Sequence, residues 1–533
     1  MKEKFELSIE QNKIVQCGGN IVVIADPGSG KTTTMGYKIK KILSENKFKG
    51  VIAISYTNKA SEELKSKVKM LVDDIKLSYF GTIDKFYISE IIIPFAKDIT
   101  GESNKYEVIK IEDINLIQNI ENNNLELEYA IQQLKEGKII LNTIGILGNY
   151  IFDCSMRCKR YLKARYSHII IDEFQDCNIE QYNIFQKMVK LGVLGIGVGD
   201  PNQSIFRYDK RDSKYLISLT SDENFNTFIL NKNHRCHQSI INYSLRFLSP
   251  RAEIQEAEDK RIYGLKVQGD ESLLAQKIDV LIEKSKKKFE IDKNCKIAIL
   301  VRNNSTGNNI AKYLKTKNKK YINSALDESS NIIDMICKDL LTYIIGNDDI
   351  FIETIFEKYD TYNNIKEKNK KKIKSYLQKQ RQEFILNGKK SINIERIKEI
   401  VDLILNYESD NSEFANLNIV LNNEEMFQSL FKIEDDTIPI MSIHKAKGLE
   451  FDVVFILDLH KYIIPREKFN PSGYLDLEEC RNVHYVALTR AKKAVILCLN
   501  TIRTNSKGEL KNGIMSEFIR DDLRILRNEN SNF

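Results

Sequence analysis

The stretch Ile21-Val22-Val23-Ile24-Ala25-Asp26-Pro27-Gly28-Ser29-Gly30-Lys31-Thr32 constrains the chain more than any other. Four β-branched residues in a row read as a strand buried on both faces of a parallel sheet. A tight loop, Ala25 to Gly30, follows, and Lys31-Thr32-Thr33-Thr34 opens a helix. Strand, Gly-rich loop and helix in this order form a phosphate-binding loop. Gly28 and Gly30 let the backbone curl so that successive N–H groups point inward. Lys31 reaches for the β- and γ-phosphates of a nucleotide, and the Thr32 hydroxyl sits on Mg²⁺. Ala25 stands where the usual pattern has its first glycine. The competing reading is an ordinary Gly-rich turn between a strand and a helix.

Further along, apolar runs repeatedly end in polar clusters, which is where parallel α/β sheets place ligands. Val51–Ile54 leads into Ser55-Tyr56-Thr57-Asn58. There Tyr56 is a candidate base platform, and Thr57 and Asn58 are candidate phosphate holders; a capped helix start with one core aromatic is the alternative. Ile169–Ile171 ends in Asp172-Glu173. Asp172 suits Mg²⁺, largely through its water shell, and Glu173 suits polarising an attacking water. Leu194–Gly199 leads to Gln203, which senses a γ-phosphate or orients water, and to the aromatics Phe206 and Tyr208. Arg235 and Arg490 are candidate arginine fingers, Arg490 being on a predicted helix over 478–493. Gln11, ahead of the loop, has an amide suited to an adenine edge. Glu450 suits a ribose hydroxyl, and His444 a phosphate or base; a lone histidine is as readily structural.

Composition narrows the class. With 533 residues and 42% hydrophobic content the chain has ample core for several domains, and its mean hydropathy is −0.36. No apolar run is long enough to span a bilayer and no secretory leader is evident, so a cytoplasmic, reducing location is expected. The nine cysteines lack zinc spacing, Cys154 and Cys158 having no second pair. A net charge of +7 permits nucleic acid binding without arguing for it. Tryptophan is absent, so stacking falls to Tyr and Phe. Residues 112–149 read as helical from their Leu and Ile spacing. The run Lys366–Lys374, six lysines in nine positions, reads as a solvated helix face, with a phosphate-contacting edge as the alternative.

Taken together, the motifs resemble those of the superfamily 1 helicases of the UvrD/Rep/PcrA type. The match is carried by Gln11, Ala25 to Thr32, Ser55 to Ala60, Gly81-Thr82, Asp172 to Asp176, Gly199-Asp200 with Gln203-Ser204-Ile205, Asn233 with Arg235, His444 with Lys447 to Phe451, and Tyr485 to Ala491. The resemblance implies an α/β fold of two RecA-like P-loop domains with parallel sheets, each interrupted by a mainly helical insertion. The implied boundaries are 1–86 and 166–250 for the first RecA-like domain, 87–165 for its insertion, 251–325 and 431–533 for the second, and 326–430 for a reduced second insertion. It implies ATP as substrate with Mg²⁺, a nucleotide held by Gln11, Ala25, Asp26, Pro27, Gly28, Ser29, Gly30, Lys31, Thr32, Thr33 and Glu450, and catalysis by Lys31, Asp172, Glu173, Gln203, Arg235 and Arg490. Single-stranded DNA or DNA ends are the implied partner, met by Tyr56, Thr57, Asn58, Thr82, Phe206, Tyr208 and His444.

The segment Gly81 to Phe86 with Ser89 to Asp98 is similar to the helicase-like component of Gabija antiphage defence systems. That implies partnership with Gabija protein A, an OLD-family nuclease with a Toprim domain, and a DNA-sensing or motor role. The alternatives are a free-standing 3′–5′ DNA repair helicase and a nucleotide-gated DNA-binding scaffold with weak ATPase. Two departures bear on DNA: Asp84 stands where the family usually has His, and Asp209-Lys210-Arg211 where it has Arg-Gly-Ala.

Overall fold

The computed structural model describes residues 6–528 apart from 103–105, 110, 112–115, 117–118, 122–124, 208–210, 323, 329–331, 347–350, 364, 407, 466–476 and 506–507, and apart from a few side chains, among them those of 58 and 59. Two compact units emerge. One comprises 1–103, 144–319 and 435–533; the other comprises 104–143 and 320–434.

The first unit holds two six-stranded sheets. Its strands begin with β1 (Asn20–Ala25), β2 (Gly50–Ile54) and β3 (Tyr79–Gly81). In the second unit, β4 (Glu107–Ile109) and β5 (Lys138–Ile140) pair with each other. Then come β6 (Tyr166–Ile171), β7 (Leu194–Gly199) and β8 (Phe225–Leu230), which complete the first sheet in the order β3-β2-β6-β7-β1-β8. All its pairings are parallel, with Ile21 opposite both Ile196 and Asn226, and Ile54 opposite Ile171. The second sheet uses β9 (Ile262–Val267), β10 (Ile297–Val301), β11 (Asn318–Tyr321), β12 (Ile438–Ser442), β13 (Phe451–Ile456) and β14 (Ala491–Asn500), in the order β11-β12-β10-β13-β14-β9. From β12 to β9 its pairings are also parallel. These are two RecA-like α/β domains.

Helices cover the sheets, which is why their central strands are apolar without alternation. Met35 and Ile39, from the helix Lys31–Glu45, pack on Ile21, Val23, Ala53 and Ile196. Leu274, Ile278 and Leu281, from the helix Glu271–Lys288, pack on Ile299, Val453 and Ile496. Each such side chain, fully buried, contributes about 1.5–3 kcal/mol.

The second unit has its own core, formed by the helices Ile332–Ile344, Glu367–Asn387 and Ile394–Leu405. Ile373 and Leu377 of the middle helix are inside, while Lys374 pairs with Glu353 at 2.9 Å and Lys370 with Glu367. The lysine run is therefore one solvated side of an amphipathic helix.

Two local expectations change. The helical reading of 112–149 is interrupted: Gly137, at φ +81°, ends the helix Glu126–Lys135, and β5 follows. The helix expected to carry Arg490 stops at Leu488. Thr489 Oγ1 and Arg490 Nε donate to the carbonyls of Tyr485 and Val486, taking the acceptors of the last turn, and Ala491 opens β14. Among the described residues no helix is long and apolar enough to cross a membrane.

Candidate nucleotide site and strand-facing aromatics

Every strand of the first sheet delivers a singled-out residue from its carboxyl end. After β1 the loop Asp26–Gly30 turns sharply, with Gly28 at φ +72° and Gly30 at φ +82°. Both positions are also too crowded for a side chain. A Cβ on Gly28 would lie 2.6 Å from Asn233 Oδ1 and 2.7 Å from Arg235 Cβ; one on Gly30 would lie 2.6 Å from Gln11 Nε2. The helix Lys31–Glu45 starts with no side-chain cap, so its first N–H groups remain available to an anion. Lys31 Nζ donates to Ala25 O at 3.2 Å, folding the ammonium back over the loop. Thr32 and Thr33 are half-buried at the same helix start, and Lys67 Nζ donates to Thr33 Oγ1. Gly28→Ala combines a left-handed alanine with a clash, and should destabilise the loop by about 1–2 kcal/mol. A thermal melt with and without ATP checks this; an unchanged melting temperature in both states refutes it.

Gln11 is buried beneath the loop. Its Nε2 donates to Ser29 O at 3.2 Å, and its Oε1 accepts from Ser8 N at 3.0 Å in a capping box. An adenine contact at Gln11 requires the amide to release one of these partners.

Acidic groups gather opposite Lys31. Asp172 N donates to Ile54 O, which extends the β2–β6 ladder and brings Asp172 and Glu173 to its end. Glu173 has φ +57°, an uncommon conformation for a non-glycine residue, in the turn that starts Phe174–Asp176. Burial and the neighbouring Glu173 charge push the Asp172 carboxyl up, against the pull of Lys31. For Glu173, burial is outweighed by Lys31, Lys447, the Gln175 amide and Arg490, which hold it below the usual carboxylate range. Burial and Asp200 raise Asp26 to about 6. Gln175 ties the segment to β7: its Nε2 donates to Glu173 Oε2 and its Oε1 accepts from Asp200 N at 3.0 Å. Asp200 in turn accepts from Gln203 Nε2 at 2.9 Å.

Segments before β13 and β14 approach this acidic end within the same unit. Arg490 is 2% exposed. Its guanidinium donates to Val486 O, Leu449 O and Thr489 Oγ1, and Nη2 reaches Gln203 Oε1 at 3.1 Å. Burial and the Arg235 charge lower it to about 10, so it is still cationic at neutral pH. Lys447 Nζ pairs with Asp176 Oδ2 and donates to Gln203 O at 2.7 Å. Glu450 pairs with Arg235 at 2.6 Å and with Lys492 at 2.8 Å. Asn233 Oδ1 accepts from the Arg235 and Cys236 N–H groups, and His234 N donates to Gly28 O, fixing the Arg235 turn against the glycine loop. Glu173, an ionised carboxylate held by the charges of Lys31, Lys447 and Arg490, can take a proton from water beside a polyphosphate bound at the helix start.

The strand-facing candidates lie near the same segments. Tyr56 and Phe206 stack on each other, centroids 5.3 Å apart at 20°. His444 lies 6.2 Å from Phe206 and against Arg302, at 2.9 Å from Nδ1; burial and the Arg302 and Lys447 charges lower it to about 4, leaving it neutral. Thr57 Oγ1 caps the helix Asn58–Leu71 by accepting from Ala60 N. Thr82 O accepts from Tyr79 OH. Tyr208 and the Asn58 side chain are outside the described residues.

Residue-by-residue reading assigned no individual role to Lys447, Gln175 or Asp200. It also gave none to Asn482, whose Nδ2 donates to Ser204 O at 3.0 Å, or to the Arg207–Glu478 pair at 2.8 Å. The signal available for Asp200 was placement: it follows an apolar strand directly, as Asp172 does.

Residues 11–209 match the AAA domain family, and residues 339–501 match the UvrD-like helicase C-terminal domain. The chain thus carries regions similar to both parts of a UvrD-like helicase, and it is an ATP hydrolase. It is 28% identical to Gabija protein GajB of Bacillus cereus (strain VD045), over 92% of this chain and 95% of that one. It is also 23% identical to the ATP-dependent DNA helicase PcrA of Bacillus subtilis (strain 168), over 93% and 83% respectively, and 22% identical to a probable DNA helicase II homolog of Mycoplasma genitalium, over 92% and 84%.

Proposed function

We propose that the chain is a DNA-stimulated ATPase serving as motor or DNA sensor in a Gabija-like antiphage defence complex with an OLD-family nuclease. One observation carries the ATPase site: Lys31 and Arg490 both draw down the Glu173 carboxyl, and Arg490 reaches Gln203 from the other sheet. In this reading the loop Ala25–Gly30, with Lys31 and Thr33, cradles the phosphates. Glu173 accepts the proton of the attacking water, and Gln203 positions that water. Arg235 and Arg490 meet the charge that develops on the transferred phosphoryl group. Gln11 and Glu450 frame the base and ribose.

The donor set fits Mg²⁺. Asp172 is a half-buried carboxyl whose proton affinity is raised by desolvation and by the Glu173 charge beside it, and Thr32 adds a hydroxyl at the helix start. When bound, Mg²⁺ supplies charge neutralisation to the phosphates. Single-stranded DNA is met by Tyr56, Phe206, Thr57, Thr82 and His444, with Tyr56 and Phe206 as stacking surfaces, and the sequence adds Asn58 and Tyr208 to that set.

The Gabija assignment is supported by length as well as identity. The GajB alignment runs over 530 positions, against 624 for the B. subtilis PcrA, so PcrA carries segments this chain lacks. That favours the defence reading over a free-standing repair helicase. Lys31→Ala should reduce DNA-stimulated phosphate release at least about 100-fold, since it removes the ammonium folded over the loop; turnover within a few-fold of the parent overturns the site. Affinity purification from the native host with mass spectrometry should recover a nuclease of the OLD class, and its absence overturns the complex.

A further inference from the structure

Arg211 packs over the Tyr56 ring. Its guanidinium carbon lies 4.5 Å from the ring centroid, within cation–π range, and Tyr56 also stacks on Phe206. Lys447 Nζ lies 5.0 Å from the Phe206 centroid, so each aromatic of the pair also meets a cation. Both cations end on one residue: Arg211 Nη1 donates to Asp176 O at 3.4 Å, and Lys447 Nζ pairs with the Asp176 carboxylate. Asp176 stands three residues after Glu173. Arg211, Tyr56, Phe206, Lys447 and Asp176 thus close a ring that joins a stacking surface to the acidic segment.

We propose that Arg211 is a gating residue for single-stranded nucleic acid: it occupies the Tyr56 face that a base must take, and a base stacks there by displacing it. This deepens the DNA-stimulated ATPase reading and rests on it. A base offers Tyr56 a larger π surface than a guanidinium does, and stacking is indifferent to sequence. Displacing Arg211 removes its hydrogen bond to Asp176 O, so strand occupancy is felt at the segment carrying Glu173. The gate makes stimulation depend on a base and not on backbone charge alone.

The chain has no tryptophan, so Tyr56→Trp creates a single fluorescent reporter on the gated face. In that background Arg211→Ala should increase acrylamide quenching without DNA, because the ring is uncovered. It should also shift an oligo(dT) titration to about three- to tenfold lower concentration, with the salt slope unchanged. In the otherwise native chain, Arg211→Ala should shift half-maximal ATPase stimulation in the same direction. Unchanged quenching overturns the gate. So does weaker oligo(dT) binding with a salt slope smaller by about one, which marks Arg211 as a phosphate contact. If the parent chain neither binds oligo(dT) nor is stimulated by it, the DNA reading itself fails and the gate falls with it. If the parent responds normally and only the Arg211 effects are missing, the gate alone fails.

Discussion

Arg490→Ala should lower kcat for ATP about 10³- to 10⁵-fold while leaving ATP binding within a few-fold, as expected for a guanidinium that acts on the phosphoryl group in flight. The side chain is almost wholly buried, and four acceptors fix its fork: Val486 O, Leu449 O, Thr489 Oγ1 and Gln203 Oε1. Such preorganisation is what makes a charge effective without reorganisation at the moment of reaction. Arg490→Lys should recover little, because an ammonium cannot reproduce a planar fork with several donors. Truncating a buried arginine also risks the fold, so thermal melts of both variants accompany the kinetics. A folded Arg490→Ala protein with kcat within threefold of the parent would remove Arg490 from the chemistry. A loss of nucleotide binding with kcat intact would make it a binding residue.

Glu173→Gln should cut kcat about 10²- to 10⁴-fold, the usual range for removing a general base, and should leave a protein that still binds ATP. The exchange is nearly isosteric, and the φ of +57° is no harder for glutamine than for glutamate. Glu173 is held ionised against burial by Lys31, Lys447, the Gln175 amide and Arg490. The parent's kcat should therefore not fall on the acid side through protonation of this group until well below neutral pH. Single-turnover phosphate release and equilibrium nucleotide binding, measured side by side, separate the two effects. Turnover equal to the parent would exclude Glu173 as the base.

Features carried by a few consecutive residues were legible in the sequence. The β-branched run before Gly28 and Gly30, the apolar strand ending in Asp172-Glu173, and Gln203 after β7 each announce a strand with a functional carboxyl end. What was not legible joins segments far apart along the chain. Lys447 meets Asp176 and Gln203 only because the turn after β12 approaches the end of β6 and β7. Glu450, expected at a ribose, also pairs with Arg235 and Lys492, contacts that no local pattern encodes. Tyr56 and Phe206 were separate platforms in the sequence and are one stack in the fold. The misjudged helix ends have local causes, Gly137 in one case and side chains that take the last carbonyls in the other.

The strand order of the first sheet governs when the site can exist during synthesis. The glycine loop leaves the ribosome early, but β1 lies between β7 and β8, with Ile21 waiting for Ile196 on one side and Asn226 on the other. Until those partners have been made, an apolar ribbon with unpaired edges is exposed. A nascent chain released before Leu230 would present that ribbon without its lateral neighbour β8, which makes premature termination in this region a route to aggregation instead of to a smaller working enzyme.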